Sequence, residues 1–158
     1  VIVPNLNPDG VEKGHWRGNA NGQDLNRDWG PFSQPETKLM KDELDRFQNG
    51  EHGNLALMLD FHSTHENLIY TQTTDDVTDP PNFATRWHRA IRGRVPGISL
   101  KHDPRHNPTQ PTSKAYVYNS FGVPAITYEM GDDSDREEIR RLAIVAAEEM
   151  MKILLNPQ

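Results

Sequence analysis

Two arginines, an amide and two acids crowd into a short polar stretch near the start of the chain. The sequence GQDLNRDW contains Asp24, Asn26, Arg27 and Asp28, and Arg17 lies just upstream. One amide and two guanidiniums form a donor set that can clamp a carboxylate, because a guanidinium presents paired N–H groups to both oxygens. The stretch therefore predicts a site for a ligand that carries a carboxylate, although an ordinary solvated loop can have the same composition.

A histidine and a glutamate follow two separate apolar runs. His62 comes directly after LALMLDF, and Glu129 closes AITYE. Reactive groups in α/β sheets gather where strands end, and there a neutral imidazole can bind a metal while a carboxylate acts as a general base. The alternative for His62, and more so for His65, is an ordinary structural or surface histidine. A buried, unpaired Glu129 would be costly, so it must reach water, a cation or a site.

The elements that must position these residues alternate between strands and helices. The sequence predicts strands at VIVPN, at residues 55–61, at residues 68–72 and at AITYEM, with a long irregular stretch over residues 5–34. The 55–61 run is apolar throughout, which is typical of a central strand covered on both faces. This alternation predicts an α/β fold with three αβα layers around a mixed, mainly parallel sheet.

Three helices are predicted from apolar residues at helical spacing. One begins at a Ser33–Glu36 capping box and ends at Asn49-Gly50, one follows Phe83, and a terminal one begins at a second capping box, Ser134–Glu137.

Length, charge and composition restrict the function further. A chain of 158 residues predicts a single domain, and a net charge of −6 without a Lys/Arg run argues against nucleic acid or an anionic membrane as partner. The sequence contains no apolar run of about 18 residues that would predict a membrane span. The absence of cysteine excludes a thiolate zinc site and a cysteine nucleophile. Compartment and oligomeric state stay open.

The ordered set of short motifs resembles the zinc carboxypeptidases of the M14 type, with their bacterial peptidase and amidase relatives. The matching stretches are NPDG at 7–10, WRGN at 16–19, GQDLNRDW at 22–29, DFHST at 60–64 and ITYEMGD at 126–132. The resemblance implies a carboxypeptidase-like fold with an eight-stranded mixed sheet. It also implies that residues 1–158 are the C-terminal part of such a catalytic domain, because VIVPN reads as an interior strand.

The resemblance assigns a role to each polar residue. His62 is similar to the third zinc ligand, Glu129 to the carboxylate that activates water, and Arg17 to the arginine that polarises the scissile carbonyl. Asn26 and Arg27 match the pair that grips the substrate's terminal carboxylate. Asp24 matches an acid that orients a zinc-bound histidine by accepting its other ring proton.

Two departures from the family pattern qualify this assignment. The family takes its other two zinc ligands from a His-x-x-Glu motif, which the sequence lacks, and His65 or Glu66 would be poor substitutes. We therefore expect two of three zinc ligands to lie upstream, and this chain alone to bind zinc weakly and to be inactive. The tyrosine that covers the substrate in digestive members is replaced by Asn107 in an ungapped count, unless Tyr116 or Tyr118 takes its place.

The same count places Lys114 at the base of the pocket for the terminal side chain, where a cation would favour acidic residues; an ordinary surface lysine is the alternative. The resemblance thus implies a zinc carboxypeptidase or peptide amidase acting on a peptide. Two alternatives remain: an N-acyl amino acid deacylase of the desuccinylase type, and a non-catalytic module that binds carboxylates. A retained Glu129 argues against the module, since binding needs no general base.

Overall fold

The computed structural model describes residues 1–156 and consists of helices packed on a four-stranded sheet. The elements in chain order are α1 (Pro8–Lys13), a 3-10 turn (Leu25–Arg27), α2 (Pro35–Gln48), β1 (Met58–Thr64), β2 (Leu68–Thr71), α3 (Phe83–Arg94), β3 (Lys101–Pro104), α4 (Ser113–Phe121), β4 (Ala125–Gly131) and α5 (Arg136–Leu155).

The sheet is mixed, with strand order β1-β4-β2-β3. β1 runs parallel to β4 and β2 parallel to β3, whereas β2 and β4 are antiparallel. Because β1 and β4 are parallel neighbours, their carboxyl ends meet at one edge of the sheet. The predicted mixed, mainly parallel sheet is confirmed.

Helices cover both faces of the sheet. On one face α3 and α5 enclose the larger core, in which Trp87, Ile126 and Leu142 are almost fully buried. On the other face Leu44 of α2 and Val117 of α4 pack with Ala125 of β4 in a second core. These two cores give the three predicted layers, and the polar face of β1 and β4 lies on the α4 side.

The predicted first strand is wrong. VIVPN forms no strand, and Ile2 is 90% exposed, because no neighbouring strand among the described residues pairs with it. The stretch 5–34 is also less irregular than expected. It contains α1, whose start is capped by the Asn7 side chain, and the 3-10 turn Leu25–Arg27.

Both predicted capping boxes are wrong, although both helices exist. α2 has Gln34 at its N-cap with no side-chain cap, and the Ser33 hydroxyl instead donates to Asp28. α5 is capped by Asp135, which accepts from the backbone N–H of Glu137. In each case a nearby acid accepts more strongly than a serine hydroxyl, so the serine is displaced from the cap.

The first strand of the sheet, β1, differs from its prediction in position and in burial. It begins at Met58 rather than residue 55, and it lies at the edge of the four-stranded sheet. Phe61 on this strand is 66% exposed, so the described residues do not cover both faces of β1. The apolar run predicted the strand but not the number of its neighbours.

Besides α1 and the 3-10 turn, two elements have no counterpart in the prediction. They are the short strand β3 and the helix α4, which is capped by Thr112 at its start and by Gly122, with φ of 68°, at its end. The remaining predicted elements, β2, α3, β4 and α5, are present. Among the described residues, none of the helices is long and apolar enough to cross a membrane.

Candidate active site

His62 and Glu129 lie side by side on the α4 face of the sheet. They are direct register partners on the parallel strands β1 and β4. Alternation along a strand puts Asp60 on the same face as His62, and Thr127 on the same face as Glu129. The two residues singled out from separate apolar runs therefore meet at one sheet edge.

Asp60 and Ser113 join this site, and sequence analysis assigned neither of them a role. The Asp60 Oδ2 atom lies 3.0 Å from Nε2 of His62 and also accepts a hydrogen bond from the Ser113 hydroxyl. The i, i+2 spacing of Asp60 and His62 on a strand was a signal available in the DFHST stretch. No local signal pointed to Ser113, because it comes from α4.

The charges around His62 and Glu129 shift both groups in the same direction. Burial lowers the pKa of His62, but the hydrogen bond and charge of Asp60 and the charge of Glu129 outweigh it, so this pKa is raised. Burial raises the pKa of the Glu129 carboxyl, and Asp60 adds to the rise, whereas His62 and Arg17 oppose it. A carboxylate with a raised pKa is suited to accept a proton.

Arg17 belongs to the same electrostatic environment, because its charge acts on both His62 and Glu129. Its guanidinium is partly exposed, with Nη1 3.6 Å from Oδ2 of Asp24. Asp24 also accepts from the backbone N–H of Asn26 at 2.9 Å, which opens the 3-10 turn. Asp24 thus orients the loop that carries Arg17 and Asn26.

A buried asparagine holds that loop in place. Asn19 is 0% exposed, and its Oδ1 accepts from the backbone N–H groups of Asn21 and Gln23. Its Nδ2 donates to Gln34 and to the Glu36 carboxylate at the start of α2. The loop is therefore fastened to α2 through side chains, which explains why a polar segment can present ordered groups.

The two residues of the predicted carboxylate clamp are placed differently. The Asn26 Oδ1 atom accepts from the backbone N–H of Ser113 at 3.0 Å, which brings this side chain to the start of α4. Arg27 is exposed, and its guanidinium donates to the main-chain oxygen of Asn26. Both belong to one loop, but only Asn26 is joined to the strand-end residues by a chain of hydrogen bonds.

Lys114 lies deeper along the same face. Its Nζ donates to the main-chain oxygens of Thr71 and Arg105. Since Leu68 is level with Glu129 and Thr71 lies three residues further along β2, the lysine is about 10 Å below the strand-end site. Burial, with a smaller contribution from the Arg105 charge, lowers the pKa of Lys114 to about 8 against the opposing charges of Asp103 and Asp76.

The two candidate lid tyrosines are both engaged elsewhere. The Tyr118 hydroxyl donates to the main-chain oxygen of Val77, and Tyr116 packs against the rings of Trp29 and Phe32. Asn107 accepts from Thr109 in an exposed turn.

The donor set fits one ligand of a zinc ion and no more. Asp60 occupies Nε2 of His62, which leaves Nδ1 as the ring nitrogen that can reach a metal. Oε2 of Glu129 is buried and has no hydrogen-bond partner among the described residues, which is unusual for a carboxylate oxygen that serves only the fold. No group of three His, Cys, Asp or Glu residues among positions 1–156 is arranged to hold a metal. His65 is exposed, and Glu66 pairs with Lys101.

Comparison with known proteins gives a consistent family and fold. A family model described as the succinylglutamate desuccinylase/aspartoacylase catalytic domain matches residues 1–156. Cytosolic carboxypeptidase 6 of Caenorhabditis elegans is 34% identical over 65 residues, which cover 39% of this chain and 14% of that protein.

Solved structures share the fold at low sequence identity. A metallo-carboxypeptidase from Burkholderia cenocepacia superposes with a TM-score of 0.72 at 22% identity, covering 98% of this chain and 44% of that one. Murein-tripeptide amidase MpaA from Escherichia coli O157 gives a TM-score of 0.62 at 20% identity, covering 92% and 64% respectively. The chain thus spans less than two thirds of these relatives' length. The predicted carboxypeptidase-like fold is confirmed.

Proposed function

The chain belongs to the succinylglutamate desuccinylase/aspartoacylase catalytic-domain family, and we propose that it forms part of a zinc-dependent hydrolase that cleaves an amide bond next to a free carboxylate. The observation that carries this proposal is the pairing of His62 with Glu129 at the same register of two parallel strands, with the charge of Arg17 acting on both. A metal ligand, a base and a cation for the oxyanion are the parts that such a reaction needs.

His62 would hold the zinc through Nδ1, together with further ligands that the described residues do not supply. When bound, the zinc supplies Lewis acidity to the scissile carbonyl and to the attacking water. Glu129 takes the proton from that water and passes it to the leaving amine, a task for which its unpaired Oε2 is available. Arg17 donates to the carbonyl oxygen as negative charge develops there.

The loop of residues 24–28 would hold the substrate by its carboxylate. Asn26 and Arg27 supply the amide and guanidinium donors, and Asp24 keeps the 3-10 turn that presents Asn26. A carboxylate bound at a set place restricts cleavage to the amide bond beside it. Peptides with a free C-terminus and N-acyl amino acids both carry this group, so the clamp serves either substrate class.

The family description favours the deacylase among these two classes, because it names succinylglutamate desuccinylase. The structural relatives named as a carboxypeptidase and a murein-tripeptide amidase favour the peptide. A preference for acidic substrates is supported by Lys114, which uses two of its three donors on main-chain oxygens and has one left.

The decisive assay compares turnover of zinc-loaded full-length protein on peptides ending in Glu, Leu or Lys and on N-succinyl and N-acetyl amino acids. We expect hydrolysis of at least one class, and its loss on chelation. Glu129→Gln should lower kcat by about 10²–10⁴-fold with little change in KM. Glu137→Gln, which alters an exposed carboxylate on α5, is the matched control. Turnover that survives chelation or Glu129→Gln would contradict the proposal.

A further inference from the structure

A continuous set of hydrogen bonds joins the metal-binding histidine to the carboxylate clamp. It runs from His62 to Asp60, from Asp60 to the Ser113 hydroxyl, and from the Ser113 backbone N–H to Asn26. Three separate parts of the chain meet here, since β1, the start of α4 and the 3-10 turn each supply a member.

Ser113 is the residue at which the two halves of the network meet. It is the first residue of α4 and is 1% exposed, so water does not compete for its hydroxyl or its N–H. The hydroxyl donates towards the sheet and the N–H donates towards the loop. A shift of α4 would therefore move both ends of the network together.

The geometry also fixes the orientation of both end groups. A carboxylate only accepts, so the His62 nitrogen facing Asp60 must carry a proton, and Nδ1 is the ring nitrogen free for a metal. A backbone N–H only donates, so the Asn26 atom facing Ser113 must be Oδ1. Its Nδ2 group is then the part of the amide that is left to donate to a substrate carboxylate.

We propose that Asp60 and Ser113 are positioning residues that couple His62 to Asn26: Asp60 holds the imidazole with Nδ1 towards the metal, and Ser113 ties that carboxylate to the clamp. The inference rests on the proposed function for its meaning, because only a hydrolase needs the metal and the substrate carboxylate at a set distance. Binding of a carboxylate at Asn26 should therefore change the environment of the His62 ring through this network. By linkage, the effect is reciprocal.

Nitrogen NMR of the His62 ring tests whether Asp60 orients the imidazole, and it requires neither metal nor turnover. Measured at a pH high enough for the ring to be neutral, the ¹⁵N-labelled protein should show His62 as the tautomer protonated at Nε2. Asp60→Ala should convert His62 to a mixture of tautomers, whereas Asp42→Ala, which alters an exposed acid on α2, should leave it unchanged. A ring protonated at Nδ1 in the unaltered protein, or no effect of Asp60→Ala, would overturn the assignment.

Titration with succinate, as a carboxylate probe, tests the coupling. We expect the His62 ring nitrogens to shift on succinate addition, and the shift to be lost in Ser113→Ala, which removes the hydroxyl but keeps the N–H to Asn26. Ser120→Ala, an exposed serine on the same helix, is the control. Equal responses in Ser113→Ala and the unaltered protein, or none in either, would overturn the coupling. Failure of the hydrolase proposal would appear only in the turnover assay.

Discussion

Asp28, the second acid of the GQDLNRDW stretch, stabilises the fold and does not face the strand-end site. It is 2% exposed and accepts from the backbone N–H groups of Ser33 and Gln34 and from the hydroxyls of Ser33 and Thr37. Burial raises the pKa of the Asp28 carboxyl, but these hydrogen bonds outweigh burial and bring it down to about 2. The ionised carboxylate anchors the start of α2, to which Asn19 ties the loop that carries Arg17 and Asn26.

Asp28→Asn should lower the free energy of unfolding by about 2–3 kcal/mol at pH 7, as expected for lost hydrogen bonds to a charged group. Because the folded pKa lies below the ordinary 3.8, the carboxylate stabilises the fold fully above pH 3.8 and loses this effect as pH falls towards 2. Urea unfolding should therefore show a difference in the free energy of unfolding between the unaltered protein and Asp28→Asn that is smaller at pH 2.5 than at pH 7.

Asp42→Asn, at an exposed position on the same helix, is the control for Asp28→Asn and should leave stability unchanged. An Asp28→Asn difference that is the same at both pH values would contradict the electrostatic explanation.

Lys114 makes a second residue-scale prediction, about specificity. Since its pKa is near 8, its positive charge is largely present at pH 7 and is lost as pH rises through 8. For a substrate ending in Glu, KM should rise above pH 8, while KM for one ending in Leu should not. Lys114→Met should remove the difference in KM between the Glu-ended and Leu-ended substrates at pH 7, whereas Lys152→Met on α5 should not. A preference for Lys-ended substrates would end this hypothesis.

At the scale of elements, the short helix α1 supports the arginine loop through direct backbone contact. Gly10 is buried, and a Cβ there would lie 2.6 Å from the Gly18 carbonyl oxygen and 2.2 Å from Nδ2 of Asn7. Asn7 in turn donates to that carbonyl and caps α1. Because Gly18 follows Arg17 in the chain, the close approach of Gly10 to Gly18 helps to position the Arg17 backbone.

Gly10→Ala should destabilise the protein by about 1–3 kcal/mol through overpacking and should lower kcat by displacing Arg17. Urea unfolding and the turnover assay measure the two effects. Gly93→Ala is the matched control, since a Cβ at this exposed position in α3 meets nothing, and we expect it to stabilise by about 0.5–1 kcal/mol. Unchanged unfolding of Gly10→Ala would show that the contact with Gly18 is not tight.

At the scale of the whole molecule, the described residues offer fewer candidate ligands than a catalytic zinc needs. The described residues offer His62 as one zinc ligand, while β1, which carries it, lies at the edge of the sheet. A catalytic zinc is held by three protein ligands. Two of the three would therefore have to come from elsewhere.

We expect the 158-residue chain alone to bind zinc weakly and to hydrolyse neither substrate class. Isothermal titration measures the affinity, and His62→Ala should abolish the weak binding that remains. Replacing the exposed His65 by alanine is the control. Tight one-to-one binding by the chain alone would contradict the ligand count.

Local patterns in the sequence were sufficient for the elements with a clear period and for the residues at their ends. The sequence shows α3, α5 and β4 as apolar stripes or runs, because each of these elements buries a face against a core. His62 and Glu129 stand out as polar residues that follow apolar runs. Caps were less predictable, since Asp135 rather than Ser134 caps α5, and Ser33 donates to Asp28 instead of capping α2.

The sequence by itself determined that strands and helices alternate and that a histidine and a glutamate close two apolar runs, because burial imposes a period that can be read locally. The structure continues both strands two residues further, to Thr64 and Gly131. Only the tertiary structure decided that β1 pairs with β4 in the register that sets His62 beside Glu129, and that Ser113 brings α4 to Asp60. Strand order and contacts between distant segments depend on how the faces of the helices and the sheet pack together, and the local spacing of residues does not determine this packing.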